Sequence, residues 1–245
     1  MLNTSKTILL TGGTAGIGLA LFKQLYSQGH KLLVVARNQA RLLQLQEKYE
    51  GVIVYQCDLS SRQQVESLAT TISEQYTDLS IIINNAGTQY TPTVLDDDFS
   101  FDSIEYETTV NFLSPVWLST LLLPTLLQNN ITSSIVNISS GLIFAPKTNS
   151  AIYCATKAAI HSYSQSLRNQ LIESDILIQE VILPLIDTAM TRGRGTNKMS
   201  ADDAARQIIK GMCNKLPEIY LGKAKLLPFL MRLSPSLVKN IMRKY

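Results

Sequence analysis

Histidine, cysteine and tryptophan are scarce in this chain of 245 residues, with two, three and one copies. His30 and His161 have no partner at ligand spacing, and Cys57, Cys154 and Cys213 are scattered, so a protein-held metal is not expected. The odd, dispersed thiols read as reduced and partly buried, a pattern that fits the cytoplasm. No run approaches the ~18–20 continuous apolar residues of a membrane span. Met1-Leu2-Asn3-Thr4-Ser5-Lys6 has no charged stretch leading into a long apolar one, so no secretory signal is expected. Repeats, low-complexity tracts and Pro/Gly/Ser linkers are also missing. This leaves one domain over 1–245.

Acidic residues are nearly absent from one region. Residues 215–245 carry seven Lys/Arg against Glu218 alone, while the remainder of the chain sums to −3. Basic stretches touch anionic surfaces, but no nucleic-acid motif accompanies this one and nucleic acid is not expected. The segment 224–245 mixes its cations with Leu226, Leu227, Phe229, Leu230, Leu233, Leu237, Val238 and Ile241. Such a tail can lie on an anionic membrane surface, fold over a substrate pocket, or pack on its own domain or a partner subunit.

What the chain has is alternation. Short β-branched or leucine-rich runs fall at 7–11, 31–36, 52–56, 79–84, 134–138, 176–183 and 218–221. Intervals with helical periodicity accompany them, as in Leu19-x-x-Phe22-x-x-Leu25 and Val65-x-x-Leu68-x-x-x-Ile72. The pattern predicts an α/β fold with a parallel sheet covered on both faces. Ile8-Leu9-Leu10 and Ile81-Ile82-Ile83 are continuous runs, as central strands buried on both sides require.

The first run leads into Thr11-Gly12-Gly13-Thr14-Ala15-Gly16-Ile17-Gly18 and then a helix. Glycines at 12, 16 and 18 permit a tight turn and a close approach of backbone to a pyrophosphate, with the helix N-terminus offering free N–H groups to the anion. The second strand ends Ala36-Arg37-Asn38, without the carboxylate that usually binds the adenosine ribose of NAD. The guanidinium of Arg37 instead suits a 2′-phosphate, which favours NADP(H) over NAD(H).

Tyr153 and Lys157 stand four apart, and Ser140 precedes the tyrosine by thirteen residues. Helical residues at that spacing share a face, so the ammonium can favour the phenolate of a group whose ordinary pKa is ~10. Many helices carry this spacing by chance. Its weight comes from the rest of the chain.

With Asn84-Asn85-Ala86-Gly87 after the fourth strand, Asn111, Ser139-Ser140 after the fifth and Tyr153-x-x-x-Lys157, the chain resembles the short-chain dehydrogenase/reductase family over nearly its whole length. The resemblance implies a Rossmann-like, doubly wound, seven-stranded parallel sheet in the order 3-2-1-4-5-6-7. It makes Asn111, Ser140, Tyr153 and Lys157 catalytic: Ser140 polarises a carbonyl, Tyr153 transfers the proton, and Lys157 holds the nicotinamide ribose and depresses the tyrosine pKa. Asn111 would hold a water linking the lysine to solvent. Asp58 would bind the adenine amino group, and Asn85, Ala86 and Gly87 would steady the sheet and line the adenosine side. The same resemblance extends cofactor contact to Thr14, Ile17, Asn38 and Leu59 and, with Pro184, to Ile186 and Thr188 at the carboxamide. Pro184-Leu185 stands where the family often has Pro-Gly, and a side chain there reshapes the floor of the nicotinamide pocket. A narrower likeness, to the DltE-like oxidoreductases, rests on Ser139-Ser140-Gly141-Leu142, the stretch 153–162 and the stretch 187–195.

The implied reaction is hydride transfer between the nicotinamide and a carbonyl or secondary alcohol. Leu142, Ile143 and Phe144 are expected to line an apolar pocket for a hydrophobic ketone or aldehyde, under a lid at 187–200. Lid residues Arg192 and Arg194 either meet an anionic group or are merely solvated. Helices around Trp117, Leu118, Leu121 and Leu122, and around Ile160, Tyr163 and Leu167, are expected to pair in a homodimer or tetramer. The competing reading is a non-catalytic NADP(H)-binding sensor or scaffold, which typically loses the serine, tyrosine or lysine. A nucleotide-sugar epimerase would need a larger substrate domain than this length allows.

Overall fold

Alternation within each central strand decides the layers. In β1 (Thr7–Thr11), Ile8 and Leu10 enter one core cluster and Leu9 enters another, all fully buried. β2 (Lys31–Ala36) divides Leu32 and Val34 from Leu33 and Val35 in the same way, and β4 (Leu79–Asn84) divides Ile81 and Ile83 from Ile82. Successive side chains point to opposite faces, so such strands need helices on both sides. The computed structural model describes residues 4–129 and 132–243. One face is covered by α1 (Gly16–Ser27), α2 (Gln39–Lys48) and α7 (Ala201–Cys213), the other by α3 (Arg62–Gln75), α5 (Ser114–Leu127) and α6 (Ala151–Gln170).

With β3 (Ile53–Gln56), β5 (Ser133–Ser140), β6 (Ile176–Leu183) and β9 (Glu218–Tyr220), the parallel sheet runs β3-β2-β1-β4-β5-β6-β9. This is the expected order. The seventh sheet strand is β9 because β7 (Ile186–Asp187) and β8 (Met199–Ser200) form a separate small pair. The order reverses between β1 and β4, and that switch point opens a crevice at the carboxyl ends of the strands. β5 is longer than expected: it pairs with β6 along its whole length, up to Ser140 opposite Leu183. Ser139 and Ser140 therefore end the strand rather than follow it.

Asp102–Leu127 is continuous, made of α4 (Asp102–Thr108), a π-helical turn (Thr109–Leu113) and α5. By length and composition it could cross a membrane, yet Leu118, Leu122 and Leu126 are buried in the core. That burial also revises the expected subunit contact. Leu118, Leu122, Ile160 and Leu167 are interior, and Trp117, Leu121 and Tyr163 remain partly open.

After β9 come a 3₁₀ turn (Gly222–Leu226), α8 (Leu227–Leu233) and α9 (Pro235–Met242). Ala224 and Val238 pack inward, and the Thr148 N–H and Oγ1 both donate to the Arg243 carbonyl, at 3.2 and 2.9 Å. The tail is thus tied to its own domain. Its last residues, Lys244 and Tyr245, and the opening Met1, Leu2 and Asn3 lie outside the described residues.

Candidate active site

The glycine turn is shaped by close approach. A Cβ on Gly18 would stand 2.1 Å from the Gly12 carbonyl oxygen, and Gly12 and Gly16 have φ of +70° and +52°. α1 has no capping side chain and no acidic residue in its first turn, so its N-terminal N–H groups suit an anion. Thr14 and Ile17 are half-buried on this turn. Asn85 Nδ2 donates to the Thr11 carbonyl at 2.9 Å, while Thr11 Oγ1 accepts from the N–H of Asn85 and of Ala86, each at 3.0 Å. Thr11 is a clamp that sequence reasoning missed, because a hydroxyl at a strand end carries no signal of its own. Thr188 also reaches the turn, 3.2 Å from the Cβ position of Gly16. These residues fit a dinucleotide pyrophosphate.

The adenosine end is less uniform. Asn38 Oδ1 caps α2 by accepting the Arg41 N–H at 2.9 Å. Asp58 Oδ1 accepts from the N–H and Oγ of Ser60, and Leu59 is buried, so backbone is what Leu59 can offer a ligand. Arg37 Nη1 donates to the Tyr106 hydroxyl, with the guanidinium 5.9 Å from that ring's centroid. Tyr106 in turn meets Tyr90 edge-on at 6.3 Å, and burial pushes its phenol up. Sequence reasoning missed Tyr106 as well. It lies 69 residues from Arg37, and the fold alone joins them.

Ser140 at the end of β5 faces Tyr153 and Lys157 one turn apart on α6. Ser140 Oγ accepts the Leu142 N–H at 3.2 Å, and the same side chain is close enough to the Tyr153 hydroxyl to favour its phenolate. Lys157 Nζ donates to the Ile138 carbonyl at 2.7 Å and stands 5.6 Å from the Tyr153 ring centroid. A Cβ on Gly87 would crowd Asn111 Oδ1, at 3.2 Å, and make only ordinary contact with Lys157 Nζ, at 3.9 Å. Burial brings Lys157 down to about 8, opposed by the Glu180 charge. Burial also holds the Tyr153 phenol well above its ordinary value, reinforced by Cys154 and Glu107 and opposed by Arg194 and the Ser140 side chain. Among these influences burial is the largest and sets the direction.

Asn111 sits in the π turn, where the wider coil re-aims its side chain. Its Oδ1 accepts the Thr88 N–H at 2.8 Å, and its Nδ2 donates to the Thr88 carbonyl at 2.9 Å and to Thr156 Oγ1 at 3.3 Å. Both amide hydrogens are engaged.

With this geometry in view, the comparisons are decisive. The chain matches the short chain dehydrogenase family over residues 6–199. It belongs to that family. It is 37% identical to the Bacillus subtilis oxidoreductase DltE over 194 residues, covering 77% of this chain and 75% of DltE. A short-chain dehydrogenase from Sphingobium yanoikuyae in complex with NADPH superposes with a TM-score of 0.81 at 27% identity, covering 98% of each chain. The bulky-bulky ketone specific alcohol dehydrogenase from Comamonas testosteroni gives 0.79 at 26% identity, covering 98% of this chain and 96% of that one. The protein is an NAD(P)-dependent oxidoreductase of the short-chain dehydrogenase family.

In this family member the surroundings of the site depart from several expectations. Ile186 is buried in the core and pairs with Met199, so its side chain does not face the crevice. Leu185, after Pro184, lies 2.4 Å from the Cβ position of Gly195, so the lid glycine is what makes space for the unusual leucine. Arg192 is exposed, whereas Arg194 is drawn in: Nη1 donates to Gln89 Oε1 at 2.7 Å and Nη2 to the Met190 carbonyl. Phe144 stacks on Tyr220 at 6.3 Å and leans on His161 at 6.4 Å. A cavity of about 120 Å³ at the start of α6 is lined by residues such as Tyr90, Val94, Phe99, Glu107 and Ile152, without Ser140, Tyr153 or Lys157.

A polar rung crosses the sheet below α6. Asn84, Asn137, Glu180 and Glu218 are in register on four adjacent strands. Asn84 donates to Asn137 at 2.8 Å and Asn137 to Ser164 at 2.9 Å, and His161 Nδ1 meets the fully buried Glu180 at 2.7 Å. Hydrogen bonding to Glu180 raises the His161 pKa despite desolvation.

Proposed function

We propose that this protein reduces a hydrophobic ketone or aldehyde with NADPH, using Ser140 and Tyr153 to hold the carbonyl oxygen and Tyr153 to donate the proton. The observation that carries this reading is the convergence of Ser140, at the end of β5, with Tyr153 and buried Lys157, whose Nζ stands 5.6 Å from the tyrosine ring centroid. The same phenol can give a proton to the alkoxide formed in reduction or, as phenolate, take one from an alcohol. The nicotinamide supplies the hydride when bound. Lys157 would hold its ribose, Thr188 its carboxamide, and Gly12, Gly16 and Gly18 the pyrophosphate. Asn111 braces the loop at Thr88 with its side chain, which leaves the water task to its main chain.

Arg37 supports NADP over NAD, as does the NADPH complex of the Sphingobium relative. The ketone specificity of the Comamonas enzyme supports a bulky carbonyl substrate. The segment 187–200 acts as a lid: β7 and β8 pin its ends, Gly193 and Gly195 adopt φ of +75° and +61°, and Arg194 latches it to Gln89. The partly open strip of Phe112, Trp117, Leu121 and Tyr163 suits a homodimer contact. Three free cysteines fit a cytoplasmic setting.

Fluorescence titration with NADPH and NADH, combined with a panel of ketones and aldehydes, tests the reading. Tyr153→Phe should lower kcat/KM by about 10³-fold, within the usual range for a lost general acid, and leave NADPH affinity intact. Substantial residual turnover in that variant refutes the assignment. Cofactor binding by the native protein without turnover of any carbonyl compound favours the sensor.

A further inference from the structure

Surface helices ordinarily turn their apolar stripe towards the core. In the tail the reverse holds. Leu226, Phe229, Leu230 and Leu233 recur at i, i+3, i+4 and i+7, and are 39–66% exposed. Leu237 and Ile241 continue the stripe one turn apart on α9, 56% and 54% exposed, while Val238 on its other side is buried. A contiguous apolar patch of this kind marks an interaction surface.

The charge around it selects the occupant. Lys223, Lys225, Arg232, Lys239 and Arg243 are all exposed, and residues 219–243 contain no acidic side chain. Among the described residues none of the five is paired with a carboxylate. A second copy meeting this face about a twofold axis would press two wholly cationic rims together. An anionic bilayer meets both features at once, with the stripe in the acyl boundary and the cations among the headgroups.

We propose that α8 and α9 dock the protein on an anionic lipid surface and set the substrate mouth against it. The docking face is fixed to the site. Leu227 Cδ1 lies 2.7 Å from the Cβ position of Gly141, the residue after Ser140, and Thr148, on the segment leading into α6, bonds the Arg243 carbonyl. Met199 at the base of the lid reaches Gly222 at 2.7 Å from its Cβ position. A carbonyl compound dissolved in the membrane would thus enter without crossing water. Docking stands by itself; delivery of such a substrate rests on the reductase reading.

The test is co-sedimentation with phosphatidylcholine vesicles, with and without phosphatidylglycerol. The native protein should pellet with the anionic vesicles, release at high salt, and stay in solution with the neutral ones. A Phe229→Ser, Leu233→Ser double variant and a Lys223→Gln, Lys225→Gln, Arg232→Gln triple variant should each lose about tenfold in partitioning. Their circular dichroism and their reduction of a water-soluble ketone should be unchanged. No pelleting of the native protein, or equal pelleting of the variants, overturns the proposal. So does a dimer in sedimentation velocity that the double variant splits, since it assigns the face to a second copy. Partitioning involves no turnover, so failure of the reductase reading leaves its outcome legible.

Discussion

The Lys157 ammonium stands 5.6 Å from the centroid of the Tyr153 ring and donates to the backbone of β5 at Ile138, not to the phenol. The lysine is therefore held in place before any ligand arrives, at the expense of its hydration. Its charge is conditional on pH in a range that assays reach.

With Lys157 brought down to about 8, kcat/KM for carbonyl reduction should decline above pH 8 as the ammonium is lost. A profile flat to pH 10 contradicts this. Stability should move the other way. A folded pKa below the unfolded 10.5 penalises the fold fully below pH 8, and the penalty is relieved as pH rises towards 10.5. Replacing the charge, as in Lys157→Met, should therefore stabilise the fold by about 2 kcal/mol at pH 7, a gain that vanishes near pH 10.5 in urea titrations.

Tyr106 holds Arg37 by a hydrogen bond and a cation–π contact, which preorganises the guanidinium for a 2′-phosphate. Arg37→Ser should cut the NADPH/NADH ratio of kcat/KM by about 100-fold and Tyr106→Phe by about fivefold, the second through KM with kcat unchanged. An unchanged ratio in Arg37→Ser sinks the NADP preference. An unchanged ratio in Tyr106→Phe alone sinks only the role of the tyrosine.

Glu180 is fully buried and His161 is its ring partner, with Glu218 and Arg168 nearby. His161→Ala should destabilise the fold by about 3 kcal/mol at pH 6, because it strands a buried carboxylate. The folded histidine pKa is raised, so the ion-pair contribution is whole below the unfolded value of 6.5 and lost as pH climbs through the folded one. The gap between native protein and variant should therefore narrow by pH 9. Equal gaps at both pH values would rule out the charge linkage.

Gly18→Ala would place a methyl 2.1 Å from the Gly12 carbonyl and 2.5 Å from Asn85 Nδ2. The turn must then shift, at about 1–3 kcal/mol of stability. Isothermal titration should show NADPH affinity reduced at least about tenfold, in line with the lost energy. Near-native affinity would mean that the helix need not sit so close to the turn.

Local pattern carried much of the architecture. The bounds expected for 7–11, 31–36, 79–84 and 176–183 coincide with β1, β2, β4 and β6, because strands buried on two faces read as largely apolar runs, even where Ser80, Gln179 and Glu180 interrupt them. The glycine turn and the Tyr153–Lys157 spacing were equally legible, since each depends on a few adjacent residues and the geometry of one turn. The stacking of Phe144 on Tyr220 was not legible, because it depends on where β9 joins the sheet.

The residues themselves determined which groups are present: a phenol, an ammonium and a hydroxyl in family register, a guanidinium after β2, and a basic apolar tail. Tertiary structure decided what those groups do to one another. Burial raises the Tyr153 phenol above its ordinary value, α4 brought Tyr106 to Arg37, and packing of Ala224 and Val238 turned the tail's apolar stripe outwards. Desolvation and long-range contact are properties of the assembled chain, and no local run of residues encodes them.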